Sequence, residues 1–309
     1  MTQCYHEPVM VSEVMSYLLL RRRETIADCT AGDGGHLAEV LRRTKDTFVV
    51  ALDVDNDAVS TARSRLAPEY PGRFRVLKGD YRELGHVLGS VGIPRIDGSL
   101  FDLGVSSRQV DTSERGFTYW GKAPLDMRMN QDSPVTAKDI LWSRSQEELA
   151  RILWEYGEER FSRGIAAKIV SARQTGVLDT AEDLVEVVKA AIPARYRRGE
   201  IHPARRTFQA LRIATNDEIS RLGKALRAVF RLTRPGGVVV VLSYHSLEDR
   251  IVKSIFREIE DKGMGQRLTK RPVRPSEAEV KENPRARSAK LRAVERIDHK
   301  IEKYGGVPL

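Results

Sequence analysis

The chain has 309 residues, of which 41% are hydrophobic and 31% charged, and its formal net charge at pH 7 is +9. These values are typical of a soluble globular protein, and the positive charge favours an anionic partner such as nucleic acid. Its two cysteines exclude a disulfide framework and a cysteine-based metal site, so no metal is expected, and no apolar run approaches the roughly 20 residues that span a bilayer.

The first hundred residues alternate short apolar runs with amphipathic segments. Helices are predicted over residues 9–20, after the glycines that follow residue 31, and over residues 59–66. Strands are predicted over residues 26–30, 48–53, 74–77 and 96–102. This alternation predicts an α/β protein whose mainly parallel, doubly wound sheet is covered by helices on both faces.

The pattern changes after residue 111. From there to residue 216 the sequence carries apolar stripes at helical spacing, one of them with Thr180 as its N-cap, and no convincing strand. A helix over residues 219–230, a turn at 234–237 and a buried strand at 238–242 then resume the earlier pattern. The sequence therefore predicts a discontinuous core, residues 1–111 and 217–309, and an inserted all-helical domain, residues 112–216, for recognition of RNA or another substrate.

Three glycines, Gly32, Gly34 and Gly35, crowd the junction between the first predicted strand and the next helix. A cofactor that lies across the ends of parallel strands needs a turn nearly free of side chains at that point. The G-x-G-x-x-G fingerprint is not met, because a leucine occupies its third glycine position. Asp28 and Asp33 add negative charge that a diphosphate would resist, so a phosphate-free cofactor with a positive centre, such as S-adenosylmethionine, is favoured.

Acidic and aromatic residues follow the next two predicted strands. Asp53 ends the second strand, about 20 residues beyond the glycines, where a carboxylate can accept hydrogen bonds from ribose hydroxyls. Asp80 and Tyr81 follow the third strand, where one can bond the adenine amine and the other can pack on its ring. These positions predict an adenosine-binding edge, a feature that nicotinamide enzymes share.

Asp102 ends the fourth predicted strand, at the edge of the sheet where substrates meet cofactors. A carboxylate there could hold an exocyclic amine and accept its proton during methyl transfer, so Asp102 is the catalytic candidate. His245 follows the last strong strand and is a second candidate, as a base or as a contact to RNA phosphate. A turn or capping role for Asp102 and a structural role for His245 are the alternatives.

Two stretches of the chain are rich in basic residues. The first lies within the insertion, where only Glu200 opposes the arginines, and the second, residues 264–292, has nine Lys or Arg against three Glu. Such tracts can follow a phosphate backbone, although a charged run is more often a solvated face. The candidates for RNA contact are Arg195, Arg197, Arg198, Arg205, Arg206, Arg285 and Arg287.

Motifs distributed over nearly the whole chain form a specific set. They are, in order, His6-Glu-Pro-Val-Met10, Cys29-Thr-Ala-Gly-Asp-Gly-Gly-His36, Leu52-Asp-Val-Asp55, Phe101-Asp-Leu-Gly-Val-Ser-Ser107, Arg115-Gly-Phe117, Pro124-Leu-Asp-Met-Arg-Met129, Thr207-Phe-Gln-Ala-Leu-Arg-Ile213, Ser243-Tyr-His-Ser-Leu-Glu-Asp-Arg250 and Asn283-Pro-Arg-Ala-Arg-Ser288. Together they resemble the family of bacterial ribosomal RNA small-subunit methyltransferase H.

The resemblance implies a class I, Rossmann-like methyltransferase with an inserted helical domain and S-adenosyl-L-methionine as cofactor. It implies 16S rRNA or the small ribosomal subunit as partner, with no DNA and no membrane, and it leaves a homodimer open. The implied product is an N4-methylated cytidine in the decoding region, near the P site. The cofactor contacts carried over by position are Gly34, Gly35, His36, Asp53, Tyr81, Asp102 and Gln109.

Three other functions are compatible with parts of the sequence. A non-catalytic RNA-binding ribosome assembly factor could keep a vestigial cofactor pocket. A DNA amino-methyltransferase would carry Asp/Asn-Pro-Pro-Tyr/Phe at the fourth strand, where this chain has Asp-Leu-Gly-Val, and a nicotinamide dehydrogenase is disfavoured by the broken glycine fingerprint. Since the first residues lack the basic-then-apolar pattern of a secretory signal, the cytoplasm is the expected location.

Overall fold

The computed structural model describes residues 8–197 and 202–298, which form seven β-strands and thirteen α-helices. The strands are β1 Thr25–Asp28, β2 Phe48–Asp53, β3 Phe74–Lys78, β4 Ile96–Asp102, β5 Thr233–Ser243, β6 Gly265–Arg267 and β7 Lys290–Arg296. The helices are α1 Val11–Leu18, α2 Gly35–Arg43, α3 Asn56–Leu66, α4 Leu84–Ser90, α5 Ser107–Asp111, α6 Ala137–Ser143, α7 Gln146–Gly157, α8 Ser162–Gln174, α9 Ala181–Ala191, α10 Arg205–Asn216, α11 Leu222–Leu232, α12 Ser246–Asp261 and α13 Glu277–Glu282. None of these helices is both long and apolar enough to cross a bilayer.

The chain divides into two compact units. The first comprises Met1–Gly104 and Leu222–Leu309, and the second, Val105–Arg221, interrupts it in the sequence. The second unit is longer at both ends than the insertion that the sequence predicts. The first unit contains all seven strands, whereas the second contains α5 to α10.

The first unit is built on one sheet with strand order β3-β2-β1-β4-β5-β7-β6. The strands β1 to β5 pair in parallel, and β7 runs antiparallel to both β5 and β6. The order of strands reverses between β1 and β4, which makes their carboxyl ends the switch point where ligands bind in open α/β sheets. This architecture confirms the predicted fold class.

Alternate residues along the inner strands enter different cores. Ile26 of β1 and Val49 of β2 belong to a core that includes residues of α1, α2 and α3. Their neighbours Ala27 and Val50 belong to a core formed with α4, α11 and α12. Each fully buried aliphatic side chain contributes about 1.5–3 kcal/mol. Helices therefore cover the sheet on both faces, which holds the strand ends rigidly in place.

The strand β6 and the start of β7 lie in the segment that forms the second basic tract of the sequence. In β7 the buried Arg292 donates from Nε to Oδ1 of Asp249 at 2.6 Å, and Lys290 Nζ lies 3.4 Å from the other carboxylate oxygen. Arg267 of β6 pairs with Glu260 in the same way. The interpretation of residues 264–292 as a tract open to phosphate is wrong for these three side chains, because acids of the fold already neutralise them.

The strand β5 is longer than the sequence predicts. It begins at Thr233, so residues 234–237, which were predicted to form a turn, belong to its first part. Its pairing with β4 is irregular there, because Ile96 faces Thr233 while Gly98 faces Val238. The extra residues form a bulge-like irregularity, which explains why proline and two glycines occur inside a strand.

The second unit has its own apolar core. Side chains such as Leu149, Leu153, Ile165 and Leu184 are fully buried between its helices, as the apolar stripes predict. Capping boxes start α6, α7 and α9, in which a Ser or Thr side chain and an acid three residues later satisfy the first backbone N–H groups. Thr180 is the N-cap of α9, which confirms that prediction.

Candidate active site

Different physical constraints explain why glycine occupies three positions of the β1–α2 junction. Gly34 has a φ of +82°, and a Cβ there would lie 3.1–3.2 Å from side chains of α3. A Cβ on Gly35 would lie 3.1 Å from Pro8. Gly32 has a φ of +50°, and a Cβ on it would meet nothing within 4 Å. The backbone conformation therefore favours glycine at positions 32 and 34, and close packing favours it at Gly34 and Gly35. Of the three, Gly32 borders open space where a ligand can approach.

Three carboxylates end neighbouring strands of the sheet. Asp28, Asp53 and Asp102 are the last residues of β1, β2 and β4, which lie side by side in the order β2-β1-β4. Burial is the main cause that raises the pKa of all three above the usual value of an aspartate. Their negative charges are therefore poorly compensated, and a cationic ligand would be attracted to this edge.

Asp53 braces the glycine loop. Its Oδ2 accepts a hydrogen bond from Gly32 N at 2.8 Å, and its Oδ1 accepts one from Asp55 N at 2.9 Å. These two bonds favour the charged form, yet burial prevails and raises the pKa to about 6. Each carboxylate oxygen keeps a second lone pair, so Asp53 can also accept hydroxyl groups, as the sequence predicts for a ribose.

Asp28 is buried more deeply. Its Oδ1 accepts a hydrogen bond from Thr30 N at 3.2 Å, while Oδ2 has no hydrogen-bond partner among the described residues. Burial raises its pKa to about 6, and the charge of His36 partly offsets that shift. Asp28 is only 3% exposed, so it acts on a ligand through its charge rather than by direct contact. Its charge is evident from the sequence, but the sequence does not identify it as a site residue.

Asp102 is held by groups from two sides. The Tyr244 hydroxyl donates to its Oδ1 at 2.6 Å, and His36 Nδ1 lies 3.6 Å from its Oδ2. Its backbone N–H donates to the Thr30 hydroxyl at 2.6 Å. The side chain remains 25% exposed, so a ligand can reach the carboxylate that the sequence identifies as the catalytic candidate.

His36 is oriented by its other ring nitrogen. Its Nε2 lies 2.9 Å from the Val9 carbonyl oxygen, which can only accept, so Nε2 carries a proton. His36 Nδ1 faces the Asp102 carboxylate at 3.6 Å, which is too long for a hydrogen bond. Its charge lowers the pKa of Asp102, against the larger effect of burial. His36 therefore acts on the catalytic candidate through its charge.

Tyr244 is a site residue that sequence reasoning missed. Burial and the neighbouring Asp102 raise its pKa well above the usual value, so its hydroxyl remains a donor at neutral pH. The available signal was its position directly after β5, at the edge where β1, β2 and β4 also end. It lies in the Ser243-Tyr-His-Ser motif, directly before His245, which the sequence indicates as a candidate.

His245 has a structural position. It is the N-cap of α12, where its Nδ1 accepts from Glu248 N at 3.4 Å and its Nε2 lies 3.2 Å from Glu248 Oε1. Glu248 also accepts a hydrogen bond from Tyr244 N at 2.9 Å. These contacts favour the capping role over the catalytic one, for which His245 stays a prediction.

Tyr81 presents an aromatic ring at the end of β3. It packs edge-on against Phe101 of β4, with ring centroids 5.5 Å apart. The neighbouring Asp80 accepts a hydrogen bond from Arg82 N at 2.9 Å and is therefore turned into its own loop. Of the two adenine contacts that the sequence predicts, the geometry favours the packing role of Tyr81.

The remaining predicted residues lie elsewhere. Gln109 belongs to the second unit, where its Oε1 accepts from Ser106 N at 3.1 Å within the capping box of α5, and its cofactor contact stays a prediction. The basic candidates Arg195, Arg197, Arg205, Arg206, Arg285 and Arg287 are exposed, and Arg198 lies outside the described residues. Two of them hold backbone carbonyls, because Arg197 bonds Ile192 O and Arg206 bonds Glu158 O.

The fold and the site together define a class. A parallel sheet with an antiparallel β7 between β5 and β6 is the arrangement of class I methyltransferases. The carboxylates at its switch point suit a cationic cofactor, and so does the buried Oδ2 of Asp28, which has no hydrogen-bond partner within residues 8–197 and 202–298.

The chain belongs to the MraW methylase family, whose model matches residues 3–297. It is similar to two proteins named Ribosomal RNA small subunit methyltransferase H. That of Symbiobacterium thermophilum is 45% identical, covering 95% of this chain and 97% of the relative, and that of Geobacter sulfurreducens is 46% identical, covering 94% and 99%. Among solved structures, an rRNA methylase from Streptococcus thermophilus has a TM-score of 0.42 and 10% identity, covering 93% of this chain and 94% of that one.

Proposed function

We propose that this protein transfers a methyl group from S-adenosylmethionine to the exocyclic N4 amine of a cytidine in the decoding region of 16S rRNA, near the P site. The names of the two relatives support the small-subunit rRNA as substrate. The observation that carries the chemistry is the contact of Asp102 with Tyr244 and His36 at the switch point of the sheet. The cytoplasm is the location that such a substrate requires.

Residues of the first unit would hold the cofactor. Asp53 is suited to accept the ribose hydroxyls and Tyr81 to pack against the adenine, while Gly34, Gly35 and His36 begin the helix beside them. The bound cofactor would supply an electrophilic methyl group on a positively charged sulfur. The negative charges of the strand ends favour that charge, since opposite charges attract strongly where water is scarce.

Asp102 would act on the substrate amine. The N4 nitrogen of cytosine is a weak nucleophile because its lone pair is delocalised into the ring, so alignment is the main contribution of the protein. The carboxylate would accept a hydrogen bond from the amine and then its proton, as the methyl group passes from the sulfur to the nitrogen. Tyr244 keeps Asp102 in one orientation, and His36 lies beside the carboxylate that receives the proton. The base must leave its stack to reach this edge.

The second unit would bind the surrounding RNA. Its contacts to the RNA would be made by the arginines at positions 195, 197, 205 and 206. Phosphate contacts by arginine position a nucleic acid without reading its sequence. In the first unit, Arg285 and Arg287 lie on a short 3-10 helix, Pro284–Ser288, and are the remaining candidates for such contacts.

Mass spectrometry of rRNA nucleosides tests the proposal. Cells that lack the protein should lose one N4-methylated cytidine from 16S rRNA, and the wild-type gene should restore it. A gene that carries Asp102→Asn is the matched control and should not restore it. Restoration by Asp102→Asn, together with intact ribosome assembly, would instead favour a non-catalytic assembly factor or a different catalytic residue. Titration calorimetry with S-adenosylmethionine separates those two, since an assembly factor with a vestigial pocket would not bind the cofactor.

A further inference from the structure

The second unit carries a cluster of three rings that the proposed chemistry does not use. Tyr119 and His202 are stacked face to face, with ring centroids 4.4 Å apart and planes 9° from parallel. Trp120 packs against both, with centroids 5.3 Å from Tyr119 and 5.0 Å from His202. We call these three residues the ring cluster.

The ring cluster is fixed by the helices around it. Phe208 of α10 meets Tyr119 edge-on, with centroids 5.8 Å apart. The chain beyond Trp120 is tied to the start of α9, because Glu182 N donates to Gly121 O at 3.2 Å and Ala181 N donates to Ala123 O at 2.8 Å. The rings are therefore oriented before any ligand binds, which reduces the entropy lost on binding.

Trp120 is the most exposed large hydrophobic side chain among the described residues, at 67%. Trp154 is nearly as exposed, at 60%, but has no ring partner in the part of the chain that the structure describes. An exposed indole on an ordered aromatic base gains free energy when a flat apolar surface covers it. The ring cluster therefore resembles a binding surface, and Trp154 offers a matched comparison.

Two basic residues lie near His202 of the ring cluster: Lys189, whose Nζ is paired with Glu186 at 2.7 Å, and the exposed Arg205. Burial lowers the pKa of His202, and the charge of Lys189 lowers it further, so both favour the uncharged imidazole. Its Nδ1 accepts from Ala204 N at 3.3 Å, just before α10 begins with the exposed Arg205. A flat ring with an anionic backbone, which is the chemistry of a nucleotide, fits a neutral aromatic surface beside cations.

We propose that Trp120, supported by Tyr119 and His202, stacks on an unpaired base of an RNA strand. This inference rests on the proposed function, because it takes the partner to be RNA. A protein partner could also cover an exposed indole, but the exposed Arg205 nearby in sequence favours a phosphate backbone. Stacking on an aromatic side chain tolerates any base, so the site contributes affinity rather than sequence selection.

Binding of an unstructured oligoribonucleotide of 12 nucleotides provides the test. Trp120→Ala should weaken its affinity about 5- to 100-fold, and Trp120→Phe should retain most of it, because stacking of one base contributes in that range. Trp154→Ala is the matched control and should stay within about twofold of wild type. The salt dependence of binding should be unchanged in Trp120→Ala and weaker in Arg205→Gln, which removes a charge.

Fluorescence gives a second readout that keeps the indole in place. A variant with Trp142→Phe and Trp154→Phe retains Trp120 alone, and its emission should be quenched by the oligoribonucleotide. A variant with Trp120→Phe and Trp142→Phe retains Trp154 alone and should not be quenched.

Equal affinity of wild type and Trp120→Ala, an unquenched Trp120, or no binding of the oligoribonucleotide by wild type would each overturn the inference. Methyl transfer by wild type to small subunits is measured in parallel. If wild type transfers the methyl group but Trp120 does not contribute to RNA binding, only the stacking site is contradicted. If wild type transfers no methyl group, the proposed function is contradicted.

Discussion

The acidic residues at the helix starts of the second unit differ from those at the strand ends of the first unit. In the second unit, Asp139, Glu148 and Asp183 lie at helix starts, where hydrogen bonds from the caps lower their pKa. In the first unit, burial raises the pKa of Asp28 and Asp53 at the ends of strands. Acids of the first kind stabilise the fold they belong to, whereas acids of the second kind lower its stability when they ionise.

This difference indicates where the molecule is arranged for a ligand. A capped helix start is complete without any partner, because its N–H groups and its acid satisfy one another. The carboxylates at the sheet edge are held close together without enough positive charge. Sites that bind or react are commonly the places where a fold departs from its own optimum.

The largest effect is expected for Asp102→Asn. The change keeps a hydrogen-bond acceptor for Tyr244 but removes the group that receives the proton, so kcat for methyl transfer should fall about 100-fold or more. Radiolabelled methyl transfer to unmethylated small subunits measures this. Asp46→Asn, an exposed aspartate of the same unit, is the control and should be active. Normal turnover by Asp102→Asn would remove Asp102 from the chemistry.

Asp28→Asn should stabilise the protein above pH 6. The pKa of Asp28 is about 6 when folded and 3.8 in a free side chain, so the folded state binds the proton more tightly. The stability that this proton provides is complete below pH 3.8 and is lost as the pH rises through 6. The unfolding free energy of Asp28→Asn minus that of wild type should therefore increase by about 1–3 kcal/mol between pH 4.5 and pH 7.5.

Chemical denaturation at several pH values measures this gain. For the control Asp46→Asn, the difference in unfolding free energy from wild type should not increase over this pH range. A flat difference for Asp28→Asn would mean that the buried carboxylate is compensated, and it would break the contrast between the two units.

Tyr244→Phe should lower kcat about tenfold, a smaller loss than removal of the acid. The hydrogen bond from Tyr244 lowers the pKa of Asp102 against the effect of burial, so its loss raises that pKa. The acidic limb of the pH profile of kcat should move to higher pH, which a purely structural role would not cause. Tyr17→Phe, on α1, is the control; an unmoved limb in Tyr244→Phe would contradict the positioning role.

The smallest effect is expected in the second unit, for Thr180→Ala. Loss of this N-cap removes the hydroxyl that bonds Asp183, which should lower the unfolding free energy by about 1 kcal/mol. Thr175→Ala, an exposed threonine at the end of α8, should have less effect. Thermal unfolding measures both, and cofactor affinity should be unchanged. Weaker cofactor binding in Thr180→Ala would show that the two units do not divide their roles as described.

Much of the fold could be predicted from the pattern of the sequence. Short apolar runs followed by glycine or aspartate mark β1, β2 and β4, because buried parallel strands must be apolar and must end where polar groups begin. The strands β6 and β7 could not be predicted in this way. Arg292 lies inside β7 yet is buried through its bond to Asp249, and that bond joins residues 43 apart in sequence.

The site was predictable only in part, for a similar reason. Asp53 and Asp102 stand out because each ends a strand. Tyr244 follows β5 and is distant in sequence from Asp102, so nothing local indicates that its hydroxyl meets that carboxylate. The pKa of about 6 for Asp28 depends on burial, which the sequence alone does not reveal.

Titration calorimetry with S-adenosylmethionine and S-adenosylhomocysteine, at pH 7.5 and pH 5, tests most directly whether the strand-end carboxylates bind a cation. The two ligands differ by the methyl group and the positive charge on sulfur. Below about pH 6 the aspartates of β1 and β2 take up protons. Protonation of Asp53, which bonds the ribose, affects both ligands, whereas protonation of Asp28 should cost S-adenosylmethionine up to about a further tenfold in affinity per pH unit. S-adenosylhomocysteine should lose clearly less. Equal pH dependence of the two ligands would contradict the proposal that these carboxylates seat the charged methyl donor.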